Sequence, residues 1–154
     1  MLDHKPHEIS ASGVVAARPG AVFEFLSDLR NHWRLTNRWV QVLDLTGPDH
    51  GPTGGWVELR GPLGLRRRLR TTVIERKRQR HITGMAELPP RTRARVMWRL
   101  EANGSGQTTV RLDATIVSCG ALDRLLLALG ARRWLRRRFE GTLSQLAEHL
   151  ENGS

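Results

Sequence analysis

The sequence predicts an α+β fold in which helices cover one face of an antiparallel sheet. Three observations lead there. Two runs in the C-terminal half, Arg91–Ala102 and Gln107–Ser118, alternate apolar and polar residues around the turn sequence Asn103–Gly106, which is the pattern of a hairpin with one buried face. The closing segment, Ala121–Glu151, repeats leucine or phenylalanine at intervals of three and four, the spacing of an amphipathic helix. Ahead of both, short β-rich runs follow one another between Gly/Pro loops.

Each element can be justified in order. His7–Ala17 (HEISASGVVAA) is short-branched and apolar and reads as a strand. Pro19 suits the first turn of a helix, where its missing N–H costs nothing. Val22, Phe23, Leu26 and Leu29 follow at helical spacing, and SDLRNHW reads as the end of that helix and the start of a second short one. Arg38–Gly47 is the next strand, GPDHGPTGG a loop, and WVELRG and LRRRLRTTVIERK are strands joined at GPLG. RHITGMAEL is a strand closed by Pro89 and Pro90. In the hairpin, Val96, Trp98 and Leu100 share one face and oppose Arg95, Arg99 and Glu101. Val110, Leu112, Ala114 and Ile116 likewise oppose Arg111 and Asp113. The closing helix is expected to cover the apolar face with a stripe running from Leu122, Leu125, Leu126 and Leu129 to Leu135, Phe139, Leu143, Leu146 and Leu150. One domain spanning residues 1–154, with an ordered core over about 7–150, accounts for the whole chain.

The net charge is +10, with 25 Lys plus Arg against 15 Asp plus Glu, a balance that suits nucleic acid or an acidic membrane surface. Only Lys5 and Lys77 are lysines, and such an arginine bias follows from codon usage in a GC-rich genome as readily as from phosphate binding. Nucleic acid is disfavoured, because Trp39, Trp56 and Trp98 are not interleaved with the basic runs. No apolar run approaches the ~18 residues of a membrane span. The start shows no leader pattern, and Cys119, the single cysteine, allows no internal disulfide. A cytoplasmic location is the expectation.

The stretch ARRWLRRRFEG holds five arginines. Arg133, Arg137 and Arg138 lie off the apolar stripe and read as a solvated face. Arg132 occupies a slot that apolar residues fill elsewhere, with Arg136 beside it. Either Gly130 bends the helix and Arg132 reaches water over a buried stem, or Arg132 faces the interior and pairs with a carboxylate, enolate or phosphate. In RRRLR, alternation puts Arg66, Arg68 and Arg70 on the outer face and Arg67 on the inner parity. His32 and His81 are the histidines away from the termini and the loop, and with Arg132 they are the candidates for acid–base work. HKPH (His4–His7) lacks a later Cys or Asp cluster, so no metal site is expected. No phosphate loop, CxxC or nucleophile elbow is present, and no cofactor is expected.

Three phrases carry a resemblance: AARPGAVFEFLSDLRNHW (Ala16–Trp33), RLEANGSGQTTVRL (Arg99–Leu112) and LRRRFEGTLSQLAEHLE (Leu135–Glu151). In that order they resemble the START-like, or helix-grip (SRPBCC), superfamily, and more narrowly its polyketide cyclase/dehydrase and lipid-transport family. Arg18 departs from the alanine common before the proline, and Thr108 follows Gln107 rather than glycine. The resemblance implies a curved sheet of about seven strands wrapped round the C-terminal helix, with a cavity between them for a lipid, polyketide or aromatic ligand. Large and polarizable side chains are the expected lining, Trp33, Trp56, Met85 and Trp98 first, then Met97 and Trp134. Leu69, Thr71, Leu112, Leu126, Leu129 and Arg132 are expected beside them, and Gly84 between Ile82 and Ala86 would leave room beneath the helix. Three functions follow: a carrier or sensor of a hydrophobic small molecule, a cyclase or dehydratase folding a polyketide-like chain in the same cavity, or an accessory protein docking on an acidic surface through its arginines. The oligomeric state is left open.

Overall fold

The computed structural model describes residues 8–36, 39–46, 54–61, 64–78, 80–89 and 91–152. Strand β1 (Glu8–Val15) leads into helices α1 (Pro19–Ser27) and α2 (Leu29–Leu35). Six strands follow: β2 (Val40–Thr46), β3 (Gly54–Arg60), β4 (Arg66–Lys77), β5 (His81–Leu88), β6 (Thr92–Ala102) and β7 (Thr108–Ser118). The chain closes with α3 (Ala121–Leu126), a wider π-type turn over Leu127–Ala131, and α4 (Arg132–Asn152). The strands form one sheet in the order β1-β7-β6-β5-β4-β3-β2, and every neighbouring pair is antiparallel.

Local chemistry accounts for these boundaries. Arg18 is extended, and Pro19 takes the first helical turn of α1. The β6–β7 turn uses Gly104 and Gly106 at φ 77° and 74°, which side-chain-bearing residues rarely adopt. Asn103 N–H donates to the Gln107 carbonyl at 2.9 Å to close it. The register sets Trp98 against both Ile82 and Leu112, and Leu100 against Val110, so the alternating apolar residues meet on one face.

That inner face holds the main core. Ile9, Ala11 and Val15 from β1 join Val22, Leu26 and Leu35 from the first two helices, and Phe139, Leu143 and Leu146 from α4. Leu146 is fully buried, a burial that contributes roughly 2–3 kcal/mol. A smaller cluster of Val40, Val57 and Leu69 lies towards the β2 edge. Helix α4 lies along β1 and β7, while α1 meets β5 and β6.

Two expectations are corrected. Leu122, Leu125 and Leu129 do not continue the buried stripe; Leu129 is 75% exposed. Gly130 has φ 123°, so the helical phase is broken there and the two halves present independently chosen faces. The half before the break turns Asp123 and Leu127 inward instead. Asp113 keeps its outward parity, in register with Ser10 and Met97, but is not left in water. It is 5% exposed, held by Ser10 Oγ donating at 2.6 Å and Arg111 Nε donating at 2.8 Å.

Candidate ligand-binding site

The helices cover the sheet's inner face unequally. With α4 over β1 and β7, and α1 and α2 at one end, the middle of the face receives less cover. Thr71, Val73, Gly84, Ala86, Ala94 and Val96 share that face by register, and all six are only half-buried. Three of the six are glycine or alanine, so the floor is low where it could have been filled. At Gly84 a Cβ would stand 3.1 Å from the Thr72 carbonyl oxygen, beside the irregularity between Val73 and Glu75. Its small size therefore also serves a close backbone approach.

Helix α3 is pinned across this face by one carboxylate. Arg67 donates twice to Asp123, through Nη1 to Oδ1 and through Nη2 to Oδ2 at 3.1 Å. Thr92 Oγ1 also donates to Asp123 Oδ2, and Gly120 N–H donates to Thr92 Oγ1 at 3.1 Å. Desolvation pulls the Asp123 pKa up, but hydrogen bonds from Arg67 and Thr92 and the charge of Arg67 outweigh it and hold it below the 3.8 of a free carboxyl.

Beside this anchor, the bent C-terminal segment leaves a pocket of about 460 Å³ against the start of β1 and the end of β7. Ile9, Ile116, Val117, Leu127 and Ala128 give it hydrocarbon walls. Ser118, Cys119, Arg124 and Arg132 are its polar members. Arg132 Nη2 donates to the Glu8 carbonyl at 2.6 Å, which ties α4 to the edge strand and sets a guanidinium in the pocket wall. The helix does break at Gly130, and the Arg132 guanidinium stands in the lining of a pocket.

The other expected residues separate by place. Thr71 lies on the half-buried floor. Trp98 and Leu112 are buried in the main core and Leu69 in the smaller cluster, where neighbouring side chains fill the space around them. Leu126 is half-buried at the end of α3, and Leu129 projects outward. Trp56 and Met85 fall on the outer face: Trp56 pairs with Arg70, and Met85 with Thr72 and Arg95. For these two, strand parity decides against an inward position. Met97 is also outward, taking a contact from Arg99 Nε at 3.1 Å. Trp134 meets Trp39 edge-on, centroids 5.8 Å apart, beneath the Arg138 guanidinium. The Trp33 side chain and HKPH lie outside the described residues.

Neither candidate histidine reaches the pocket. The Nε2–H of His32 donates to the Leu26 carbonyl at 2.5 Å, and Asn31 Nδ2 donates to that of Phe25 at 2.8 Å. Both bonds satisfy carbonyls that the end of α1 leaves open. The His32 ring lies 5.5 Å from that of Trp98, and desolvation by burial pushes its pKa from 6.5 down to about 4. His81 Nε2 faces Glu75 Oε1 at 3.2 Å, with Arg99 opposite in register. Among the described residues, no group of three or more His, Cys, Asp or Glu is placed to hold a metal ion, and no helix is long and apolar enough to cross a membrane.

Sequence reasoning did not single out Asp123, Arg124 or Cys119. One signal for Asp123 was present: Arg67 on an inner parity needs an acid, and Asp123 is the one acid between Ala121 and Phe139.

Residues 6–151 match the family described as polyketide cyclase/dehydrase and lipid transport. No curated protein sequence matches the chain. Among solved structures it is similar to a protein of Thermus thermophilus, with TM-score 0.71 and 18% identity over 96% of this chain and 99% of that one. It is similar to a START superfamily protein from Mycobacterium smegmatis, with TM-score 0.60 and 18% identity over 91% and 99%. The Zhui aromatase/cyclase from Streptomyces sp. R1128 gives TM-score 0.62 and 16% identity over 92% and 94%. At such identities the structural likeness is one of fold. The family match runs from before β1 into the last turn of α4, and the sheet gripping a C-terminal helix agrees with it: the chain belongs to the polyketide cyclase/dehydrase and lipid transport family.

Proposed function

We propose that this protein binds a hydrophobic small molecule with an anionic end, such as a lipid, polyketide or aromatic acid, between its sheet and its bent C-terminal segment. The observation that carries the reading is the pocket of about 460 Å³ with hydrocarbon walls and Arg124 and Arg132 among its lining. Apolar burial at ~25 cal/mol per Å² supplies affinity, and a few charged or polar groups fix orientation. Membership of a lipid-transport and cyclase family supports the same reading. Turnover of a polyketide-like substrate would call for a proton-transferring group at the wall. The charged groups there are arginines, the thiol of Cys119 is the one other candidate in the lining, and His32 and His81 stand elsewhere, so binding is preferred over catalysis.

Native mass spectrometry of protein purified from an expressing host is the test. It is expected to show an acidic amphiphile that organic extraction removes. Stripped protein should then take up a long-chain carboxylate about tenfold more tightly than its methyl ester, and Arg132→Leu should narrow that difference. Absence of any adduct, together with no saturable binding of either compound, would falsify the proposal.

A further inference from the structure

Several large apolar side chains stand in water next to the break at Gly130. Leu122, Leu125 and Leu129 are 63%, 54% and 75% exposed, and Val117 at the end of β7 is 54% exposed. The leucines are spaced three and four apart, so they share one side of the α3 segment. Between Ala121 and Phe139 the chain carries six arginines and a single acid. That acid, Asp123, is held inward by Arg67 and Thr92. Arg124 and Arg133 are exposed, as are Arg136 and Arg137 one turn further on.

Large leucines left in water within a strongly cationic segment are the composition of an element that lies in a membrane interface. We infer that α3 and the turn after it dock on an anionic lipid bilayer, the leucines entering the headgroup boundary and the arginines meeting the lipid charge. Charge complementarity selects this occupant: the segment offers no outward carboxylate, and anionic lipids attract basic segments in their vicinity. Arg124, Leu127 and Ala128 belong both to this segment and to the pocket lining, so docking sets the pocket mouth against the bilayer. The inference goes beyond the ligand proposal and is tested apart from it.

The experiment is flotation of the full chain with vesicles of phosphatidylcholine, with or without phosphatidylserine. Retention is expected on the phosphatidylserine vesicles, weakening as salt rises, and little on phosphatidylcholine alone. Leu125→Ser with Leu129→Ser should weaken retention by about tenfold or more while leaving the thermal midpoint unchanged, because both side chains already face water. Arg133→Glu with Arg137→Glu should weaken it by about fivefold per arginine or more. Arg66→Glu with Arg68→Glu, an equal charge change on the outer face of β4, should leave most of it. Three results would overturn the inference. One is equal loss from the β4 variant, which would reveal only diffuse attraction to net charge. Another is full retention by the leucine variant. The third is failure to bind vesicles alongside self-association that the leucine variant abolishes, which would assign the face to a second copy of the chain. Docking by protein stripped of every ligand would uphold the inference and leave the pocket proposal to its own test.

Discussion

Arg67 stands on the inner face of β4, in register with Leu59 on β3 and flanked along its own strand by Leu69. A guanidinium there is tolerable only with its charge and N–H groups matched, and Asp123 matches both. His32 shows the opposite solution. Its ring loses water, gives one hydrogen to the Leu26 carbonyl and stays neutral, with its pKa pushed down to about 4. Because the folded-state pKa lies below the 6.5 of the free group, protons bind the unfolded chain more tightly. The stabilisation is therefore complete above pH 6.5 and is lost as pH falls towards 4. The loss should be on the order of 3 kcal/mol by then. Urea unfolding from neutral pH down to about 4 should show the wild-type midpoint falling more steeply than that of His32→Gln. Parallel profiles would mean that the imidazole is not held neutral.

At the scale of elements, a periodic pattern transmits facing only while the backbone keeps its phase. This explains which parts of the fold could be read from sequence. The seven strands and both early helices fall within a few residues of their expected ends, because alternation, Pro19 and the Gly turn are local signals. The closing helix was legible as a helix, but the faces of its two halves were not, since one residue with φ 123° resets the phase. Gly130 has open space around a would-be Cβ, so Gly130→Ala would meet a backbone cost alone, about 1–3 kcal/mol. Asp123→Asn should cost about 1–3 kcal/mol by weakening the bonds to Arg67 and Thr92. Wild-type protein, whose Asp123 pKa is held below 3.8, should lose this advantage only in stronger acid than the His32 window. If Gly130→Ala straightens the segment and lifts α3 from the sheet, both substitutions break the same contacts. The double variant should then cost less than the two singles together, as measured by denaturant unfolding; strict additivity would show α3 anchored independently of the bend.

For the whole molecule, the separation of the sheet's two faces decides where a ligand could sit and why the site was only partly legible. Alternation fixes parity, which placed Thr71 on the inner face and should have placed Trp56 and Met85 outside. It does not tell a filled core position from a lining one, because that depends on which helix arrives opposite. Trp98 and Leu112 meet partners and become core, whereas Ile116 meets the bent segment and lines a pocket. Such a pocket makes stability depend on its contents. A ligand that binds the folded chain alone stabilises it by about 2.7 kcal/mol at a hundredfold excess over its dissociation constant, or roughly 5–10 °C in midpoint for a chain of this size. Protein stripped by organic extraction should therefore melt lower than protein as purified, and a long-chain carboxylate should restore the difference. Denaturant curves should move in midpoint with little change in slope, since the surface exposed on unfolding is nearly the same. Arg132→Leu should retain the response to the methyl ester and lose most of the preference for the acid. If stripped and loaded protein melt together for lipids, polyketides and aromatic acids alike, the space beside Arg132 is a packing gap and not a binding site.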